Sequence, residues 1–191
     1  MRINKIQGIG VNDLRGKVDT ANSRSYSIWK DIIRRCYSKE KAKFKCYTKV
    51  KVCKEWLLYS NFKKWYDENF PLKLEQEGWE MQIDKDLLSG ENKIYSPETC
   101  IFLPRKINGF LSNKQSSNTS GITGVSYIKK NNSWVAKIRN FDNHGKIYLG
   151  YFSNKNTAGR VYKKARAEQA EKVRDVLRSL RYNKDIIELI K

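Results

Sequence analysis

The sequence is poor in histidine and lacks close cysteine pairs. Its 191 residues include one histidine, His144, and four cysteines, Cys36, Cys46, Cys53 and Cys100, with no Cys-x-x-Cys pair among them. Structural zinc sites usually take at least one such pair. The spacings therefore favour reduced, partly buried thiols of an intracellular protein, with a zinc site as the weaker alternative.

Long apolar runs are also missing. No stretch is long enough to span a bilayer, and no charged start is followed by an apolar core and a cleavage site. We therefore expect neither a membrane span nor an export signal. General disorder is excluded as well, because 39% of the residues are hydrophobic and 12% are aromatic, and a chain of this length can bury a core.

Acidic residues are scarce relative to basic ones. The chain has 39 Lys and Arg against 20 Asp and Glu, a formal net charge of +19. Residues 1–117 carry 23 basic and 14 acidic residues, which is +9, and residues 118–191 carry 16 and 6, which is +10. This excess favours a polyanion, by default nucleic acid, because each phosphate contact releases condensed counterions. A membrane surface is the competing polyanion.

The middle of the chain predicts a strand, a loop, a second strand and a helix. Met81 to Ile83 alternates as a strand that ends at Asp84. After a polar loop and a turn, residues 100–103 form a short apolar strand. Pro104 suits the first position of a helix that runs through Leu111 and carries Asn108.

This order of elements resembles the ββα-metal core of HNH nucleases, especially the phage and intron-borne HNH homing endonucleases. The resemblance implies that Asp84 binds a divalent ion, Mg²⁺ or Mn²⁺, and that Asn108 is the ligand on the helix. The ion would stabilise the leaving oxygen of a phosphodiester. Lys85 stands where the family carries the histidine that activates water. Lysine is protonated at neutral pH and is a poor base, so we expect cleavage to be weak or lost.

A structural reading of the same residues stays open. Acids in loops are usually solvated, and an asparagine on a helix is usually a cap or a surface residue. Taken singly, Asp84 and Asn108 are therefore more typical of structural residues than of metal ligands. Only the order of the whole stretch favours the HNH-like scaffold.

Upstream residues predict elements that support this module. Hydrophobic residues at helical spacing indicate one helix over about 25–37, and Ser60 suits the cap of a second that ends before Pro71. The aromatic residues of that second helix are expected in the core: Phe62, Trp65, Tyr66 and Phe70. A short strand is expected over 50–53, and the first twenty residues form either a hairpin or an extended arm.

The pattern over residues 25–111 also resembles a group of small phage-encoded HNH-type proteins. This resemblance rests on the following segments: WKDIIRRCY, VCKEW, FKKWYDENF, IDKDLL and IYSPETCIFLP. It implies a location in the cytoplasm of a bacterial host, in association with the nucleoid. Small phage-borne proteins of this kind include inhibitors of CRISPR effector nucleases.

The composition changes abruptly after Leu111. The segment SNKQSSNTS is almost wholly polar and has no apolar period. We therefore predict an HNH-like domain over 1–111, a linker over 112–120 and a second domain over 121–191. The fold class is α+β: an HNH-like ββα module with supporting helices, then a three-stranded antiparallel sheet packed on a long helix.

The second domain predicts a meander followed by a helix. Three alternating stretches, separated by turns at Asn131 to Ser133 and at Asp142 to Gly145, indicate three antiparallel strands. Asn156 or Ser153 can cap the helix that follows. Its inward face is expected to contain Ala158, Val161, Tyr162 and Ala165.

Parity along the strands predicts two faces. Residues expected against the helix are Val125, Tyr127, Trp134, Ala136, Ile138, Ile147 and Leu149. Residues expected on the outward face are Ser126, Ile128, Lys130, Val135, Lys137, Arg139, Lys146 and Tyr148. The outward face is therefore basic, with one aromatic residue, although a plainly solvated sheet face is the alternative.

Four segments of residues 121–170 resemble the plant ethylene-response-factor (APETALA-type) DNA-binding domain, which also occurs in phage HNH proteins: GITGV, WVAKIR, IYLGYF and NTAGRVYKKA. In that family the sheet enters the major groove. The groove-contacting positions fall on Ser126, Ile128, Lys130, Lys137, Arg139, Lys146 and Tyr148. At the positions of Ser126 and Ile128 the plant domains carry basic residues, and at the position of Lys137 they carry an acid. The resemblance therefore implies phosphate binding here, without the preference of the plant domains for particular DNA bases.

The last twenty residues place apolar side chains at helical spacing. They include Val173, Val176, Leu177, Leu180, Ile186, Ile187 and Ile190. We expect the long helix to continue and a second short helix to follow Asn183. An exposed apolar stripe on these helices would offer a surface for a homodimer or another partner.

Three functions follow from these observations. The protein is a nicking or homing endonuclease on double-stranded DNA, a non-cleaving binding protein such as an inhibitor of a CRISPR effector nuclease, or a transcriptional regulator. A divalent metal is expected only for the first. The candidate cleavage site comprises Asp84, Lys85 and Asn108, and the candidate DNA-binding residues are Lys130, Lys137, Arg139, Lys146 and Tyr148.

Overall fold

The structure, a computed structural model, describes residues 5–20, 22–40, 44, 47–90, 92–111, 118–143 and 145–191. The protein is mixed α+β, as predicted, and forms two compact units, Met1–Leu103 and Pro104–Lys191. The predicted linker falls largely on residues 112–117, which lie outside the described residues. The helix that the sequence assigns to the end of the first domain belongs to the second unit.

The first unit is built mainly from short elements. In chain order these are β1 (Lys5–Ile6), β2 (Gly10–Val11), α1 (Arg24–Tyr37), β3 (Lys51–Val52), α2 (Tyr59–Asn69), α3 (Leu72–Gln76), β4 (Met81–Asp84), α4 (Asp86–Ser89), β5 (Ile94–Tyr95) and β6 (Ile101–Pro104). Strands β1 and β2 form an antiparallel hairpin, the first of the two forms that the sequence allowed. Strand β3 pairs with β5 in parallel, and β4 pairs with β6.

Aromatic side chains fill the core of this unit. The indole Nε1 of Trp29 donates to the carbonyl oxygen of Trp56 at 2.7 Å, and the hydroxyl of Tyr59 lies 2.8 Å from that of Ser25. Both hydrogen bonds satisfy polar atoms that burial would otherwise leave without a partner. The stripe predicted on α2 is confirmed as core, since Phe62, Trp65 and Tyr66 are buried and Phe70 packs against them.

The predicted cap of α2 is wrong. The helix begins at Tyr59, so Ser60 already lies in its first turn. Its backbone N–H donates to Oδ1 of Asp13 at 2.9 Å, and its hydroxyl donates to Oδ2 of the same carboxylate at 2.5 Å. A residue 47 positions away therefore satisfies the helix start, which local sequence cannot indicate.

The second unit contains α5 (Arg105–Leu111), β7 (Val125–Ile128), β8 (Ser133–Arg139), β9 (Lys146–Phe152), α6 (Lys155–Ser179) and α7 (Lys184–Glu188). The three strands form one antiparallel sheet in the order β7-β8-β9, as predicted. Helix α6 packs on one face of this sheet, where Ala158 and Tyr162 contact Val125 and Ala136. The small side chain of Ala158 is fully buried and lets the helix lie close.

Helices α6 and α7 are both capped by asparagine. Oδ1 of Asn154 accepts from the backbone N–H groups of Asn156 and Thr157, so the expected caps Asn156 and Ser153 are wrong by one or two positions. Asn183 caps α7 through the N–H of Asp185, and the short second helix is where the sequence placed it.

The apolar residues of the C-terminal helices are not an exposed stripe. Val173, Leu177, Ile187 and Ile190 are all buried in the chain, so that expectation is wrong. Arg174 holds the end of the chain by donating to the carbonyl oxygen of Ile190 at 2.7 Å. A homodimer through these helices stays a prediction, but these four side chains do not supply its surface. In the described part of the chain, no helix combines the length and apolarity needed to cross a membrane.

Candidate functional site

Asp84 ends strand β4, where the sequence placed it, and its carboxylate is already engaged by the backbone. Oδ1 accepts from the N–H of Leu87 at 2.8 Å and from that of Asp86 at 3.1 Å, which satisfies the first turn of α4. The residue is only 8% exposed. Burial raises the pKa of this carboxyl, and the two N–H donors oppose that rise in part.

Lys85 is buried beside Asp84. It is 7% exposed, and its ammonium pairs with the carboxylate of Asp86. The Nζ atom also lies 5.9 Å from the ring centroid of Tyr47 and 5.7 Å from that of Tyr95. An ammonium held by a carboxylate and two aromatic rings is well compensated for its burial. This side chain therefore has a structural environment, at the position where the HNH resemblance implies a histidine.

Asn108 lies on α5 and is half-buried. Asp84 belongs to the first unit and Asn108 to the second, so their pairing as metal ligands stays a prediction. Within the described ranges, no three His, Cys, Asp or Glu side chains come together as a metal-binding group. Asp84 fits a cation as a hard oxygen donor through Oδ2, which the two backbone hydrogen bonds do not use. Mg²⁺ commonly uses one or two protein oxygens and takes its other ligands from water and substrate phosphates.

The described cysteines are unreactive by environment. Burial raises the pKa of Cys36 and of Cys100 to about 12, and that of Cys53 to about 11. All three are free thiols. The expectation of partly buried thiols is confirmed for Cys36 and Cys53, whereas Cys100 is buried. Cys46 and His144 lie outside the described residues.

The predicted DNA-binding residues lie in and beside the sheet. Lys130 is exposed in the turn between β7 and β8, and Arg139 and Lys146 are exposed and directly opposite each other on β8 and β9. Lys137 is half-buried and lies opposite Tyr148, with its Nζ 4.9 Å from the ring centroid. The strand register therefore places Lys137, Arg139, Lys146 and Tyr148 on one face of the sheet.

The opposite face is the one that α6 covers. Val125, Trp134, Ala136 and Leu149 lie in its core as predicted. Tyr127 shares their parity but is 44% exposed, since it stands near the edge of the sheet with its ring against Trp134. Two expectations about coverage are thus wrong: Tyr127 is not buried, and Val135, which has the outward register, is fully buried.

A β-bulge in β9 adds a residue that parity reasoning missed. Ala136 pairs with Gly150 and Lys137 pairs with Tyr148, so Leu149 is the extra residue on β9. The bulge reverses the alternation beyond it and turns Tyr151 to the side of Tyr148. Tyr151 lies opposite Val135 and is 57% exposed, close to the 59% of Tyr148. The glycine after Leu149, Gly150, is the only signal in the sequence for this irregularity, and it has a φ of +129°.

All charged residues in the strands of the sheet are basic. None of the three strands contains an acidic residue. The exposed face therefore presents cations and tyrosines without a carboxylate of its own, which is the chemistry that binds phosphate and base rings.

Comparisons with family models, with curated proteins and with solved structures find no match. Function is accordingly inferred from the residues themselves.

Proposed function

We propose that the protein binds double-stranded DNA through the basic face of its three-stranded sheet. The observation that supports this proposal is the strand register, which brings Lys137, Arg139 and Lys146 to one face. Lys130 is exposed in the adjoining turn. The resemblance to the ethylene-response-factor domain supports the same face. Phosphate contacts supply most of the affinity in such complexes, and they make it strongly dependent on salt.

The test is a salt titration of binding to a labelled duplex by fluorescence anisotropy, using the full chain. The variant Lys137→Glu with Arg139→Glu removes two cations from the face. We expect weaker binding and a slope of log K against log salt that is shallower by roughly 0.9 for each lost phosphate contact.

A matched control is the variant Lys163→Glu with Lys164→Glu. Both of these lysines are exposed on α6, and the net charge changes by the same amount. The control should keep most of the wild-type affinity and slope. Equal losses in both variants would mean that overall charge, rather than the sheet face, determines binding.

We further propose that the DNA-binding protein is of the HNH homing-endonuclease type with weak or lost cleavage. Asp84 at the end of β4, Asn108 on α5 and the order strand, strand, helix support the scaffold. Asp84 and Asn108 would hold a divalent metal, which would stabilise the leaving oxygen. Lys85 is buried and paired with Asp86, so it does not replace the missing base.

Nicking of supercoiled plasmid in Mg²⁺ or Mn²⁺ tests this part. We expect little or no nicking by the wild type. The variant Lys85→His should raise the rate on the order of a hundredfold, the usual contribution of a general base, and Asp84→Ala or Asn108→Ala should abolish the gain. Nicking by the wild type at the rate of Lys85→His would contradict the proposed loss of the base.

A non-cleaving binding protein is the second candidate, and one observation favours it. Asp84 Oδ1 satisfies the start of α4, so this carboxylate has a structural role that needs no metal. An inhibitor of a CRISPR effector nuclease is one form of such a protein, and a transcriptional regulator is another. Intact duplex binding without nicking in any Lys85→His preparation would favour this candidate. Co-purification with an effector nuclease would then identify the first form.

A further inference from the structure

The side chains on the exposed face of the sheet change in chemistry from one end of the strands to the other. The outward pairs of β8 and β9 run from Arg139 with Lys146, through Lys137 with Tyr148, to Val135 with Tyr151. Cations therefore occupy one end of the face and aromatic rings the other. This order would not exist without the bulge, because Tyr151 would otherwise share the face that α6 covers.

Both tyrosines are largely exposed, and Lys137 Nζ lies 4.9 Å from the ring centroid of Tyr148. Tyr148 and Tyr151 are more exposed than Tyr127, the third exposed tyrosine of the sheet. Tyr127 is committed elsewhere, since its hydroxyl bonds Asn132 and its ring lies 5.0 Å from that of Trp134. Val135, opposite Tyr151 in the register, is fully buried.

This division matches the two parts of an unpaired strand. A sugar-phosphate backbone follows cations, while bases that have left the helical stack lie on aromatic side chains. In an intact duplex the flat faces of the bases are covered by their neighbours and are not accessible to a tyrosine ring. The basic end would supply most of the binding to a duplex, whereas the aromatic end would act mainly on unpaired bases.

We infer that Tyr148 and Tyr151 form a stacking platform for unpaired bases, so that the face binds single-stranded or locally opened DNA more tightly than an intact duplex. The inference rests on the proposed function of the same face and specifies the form of DNA it prefers. Lys137 links the two ends of the face, because its Nζ lies over the ring of Tyr148. In the complex this ammonium would contact both the base on that ring and the next phosphate.

The experiment compares three labelled ligands of one sequence with the full chain: a single strand, a perfect duplex, and a duplex with a central unpaired stretch. The double variant Tyr148→Leu with Tyr151→Leu should lose roughly tenfold or more in affinity per tyrosine for the single strand and the opened duplex. Its affinity for the perfect duplex should fall by a clearly smaller factor, so that the preference for unpaired DNA is lost. The variant Tyr148→Phe with Tyr151→Phe keeps both rings and should retain the preference.

Tyr127→Leu is the matched control, because it removes an exposed tyrosine of the same sheet outside the platform. It should leave the preference unchanged. A second readout is the fluorescence of 2-aminopurine placed in the unpaired stretch, which stacking on a tyrosine quenches and which requires no variant. Absence of quenching in the wild-type complex would overturn the inference, even if the leucine variants do not fold.

Failures of the two proposals are distinguishable. Wild-type binding to the perfect duplex that equals or exceeds binding to the single strand would overturn the stacking platform alone. Loss of binding to every ligand in Lys137→Glu with Arg139→Glu, together with an intact strand preference in the wild type, supports both. A wild-type chain that binds none of the three ligands would overturn the proposed function as well.

Discussion

At the scale of single residues, Asp84 has two roles that can be separated. Its carboxylate satisfies two backbone N–H groups of α4 through Oδ1, and Oδ2 is the oxygen that would hold a cation. Asparagine caps helices as well as aspartate does, but it is a much weaker ligand for a hard cation. The pair Asp84→Asn and Asp84→Ala therefore separates the structural contribution from metal binding.

Asp84→Asn should keep or raise stability at neutral pH, whereas Asp84→Ala should lower the free energy of unfolding by about 1 kcal/mol through loss of the cap. The pKa of Asp84 is raised in the folded state, so the folded state favours the neutral carboxyl. The stabilising contribution is then complete below the unfolded pKa, about 3.9, and is lost as the pH rises through the folded value. Urea unfolding from pH 4 to 7 should show Asp84→Asn gaining on the wild type as the pH rises. If Asp84→Asn instead lost stability relative to the wild type as the pH rises, the result would contradict the raised pKa.

The cysteines give a second prediction at this scale. With pKa values of about 12 for Cys36 and Cys100 and about 11 for Cys53, roughly one thiol in a thousand or fewer is ionised at pH 8. Native protein should therefore be alkylated very slowly by iodoacetamide at all three positions, and urea-unfolded protein rapidly. Peptide mass spectrometry measures each site. Fast native labelling of Cys100 would show that the buried environment opens readily.

At the scale of elements, the contact between α6 and the sheet depends on Gly124. A Cβ there would lie 2.0 Å from the ring of Tyr162 and 2.6 Å from the carbonyl oxygen of Lys137, and the φ is +73°. Gly124→Ala should lower the free energy of unfolding by about 3 kcal/mol or more, because strain and overlap add.

Gly121→Ala is the control for backbone strain alone. Gly121 has a φ of +81° and no atom within 4 Å of an added Cβ, so its replacement should cost only about 1 kcal/mol. Chemical denaturation of both variants gives the comparison. Equal costs would mean that the ring of Tyr162 moves aside without loss.

The elements of the second unit were predictable, but the details that aim its side chains were not. Alternation and turn residues predicted β7, β8 and β9, because strands with one buried face impose a period of two. Parity cannot be extended beyond Leu149, because a bulge depends on how β9 meets β8 rather than on its own residues. The caps of α2 and α6 were both missed. The first comes from distant Asp13, and the second, Asn154, lies one residue from Ser153 and two from Asn156, which are equally suitable caps.

In the first unit, sequence identified the position of Asp84 but not the environment of Lys85. A lysine next to two acids in a polar stretch predicts a solvated side chain. The structure instead places it between the rings of Tyr47 and Tyr95, which come from separate segments. Pairing of this kind is set by tertiary packing and has no local pattern.

At the scale of the whole molecule, net charge and charge placement can be measured apart. Each Lys or Arg to Glu change alters the charge by two, so either double variant takes the formal charge from +19 to +15. A cation exchanger responds mainly to total charge, and both variants should elute at similar salt, below the wild type. Their affinities for DNA should differ, because only one variant alters the sheet face. Clearly different elution would show that the resin also binds that face.

The bulge in β9 also has a consequence for the gene. Substitutions in this strand change one side chain, but an in-frame loss of the codon for Leu149 would restore regular alternation downstream. Gly150 would still pair with Ala136, Tyr151 with Val135 and Phe152 with Trp134, so Tyr151 and Phe152 would keep their present faces. The deletion would instead remove Leu149 from the core under α6. Among variants of this protein, β9 should therefore be able to lose its extra residue without reversing the faces of the residues that follow.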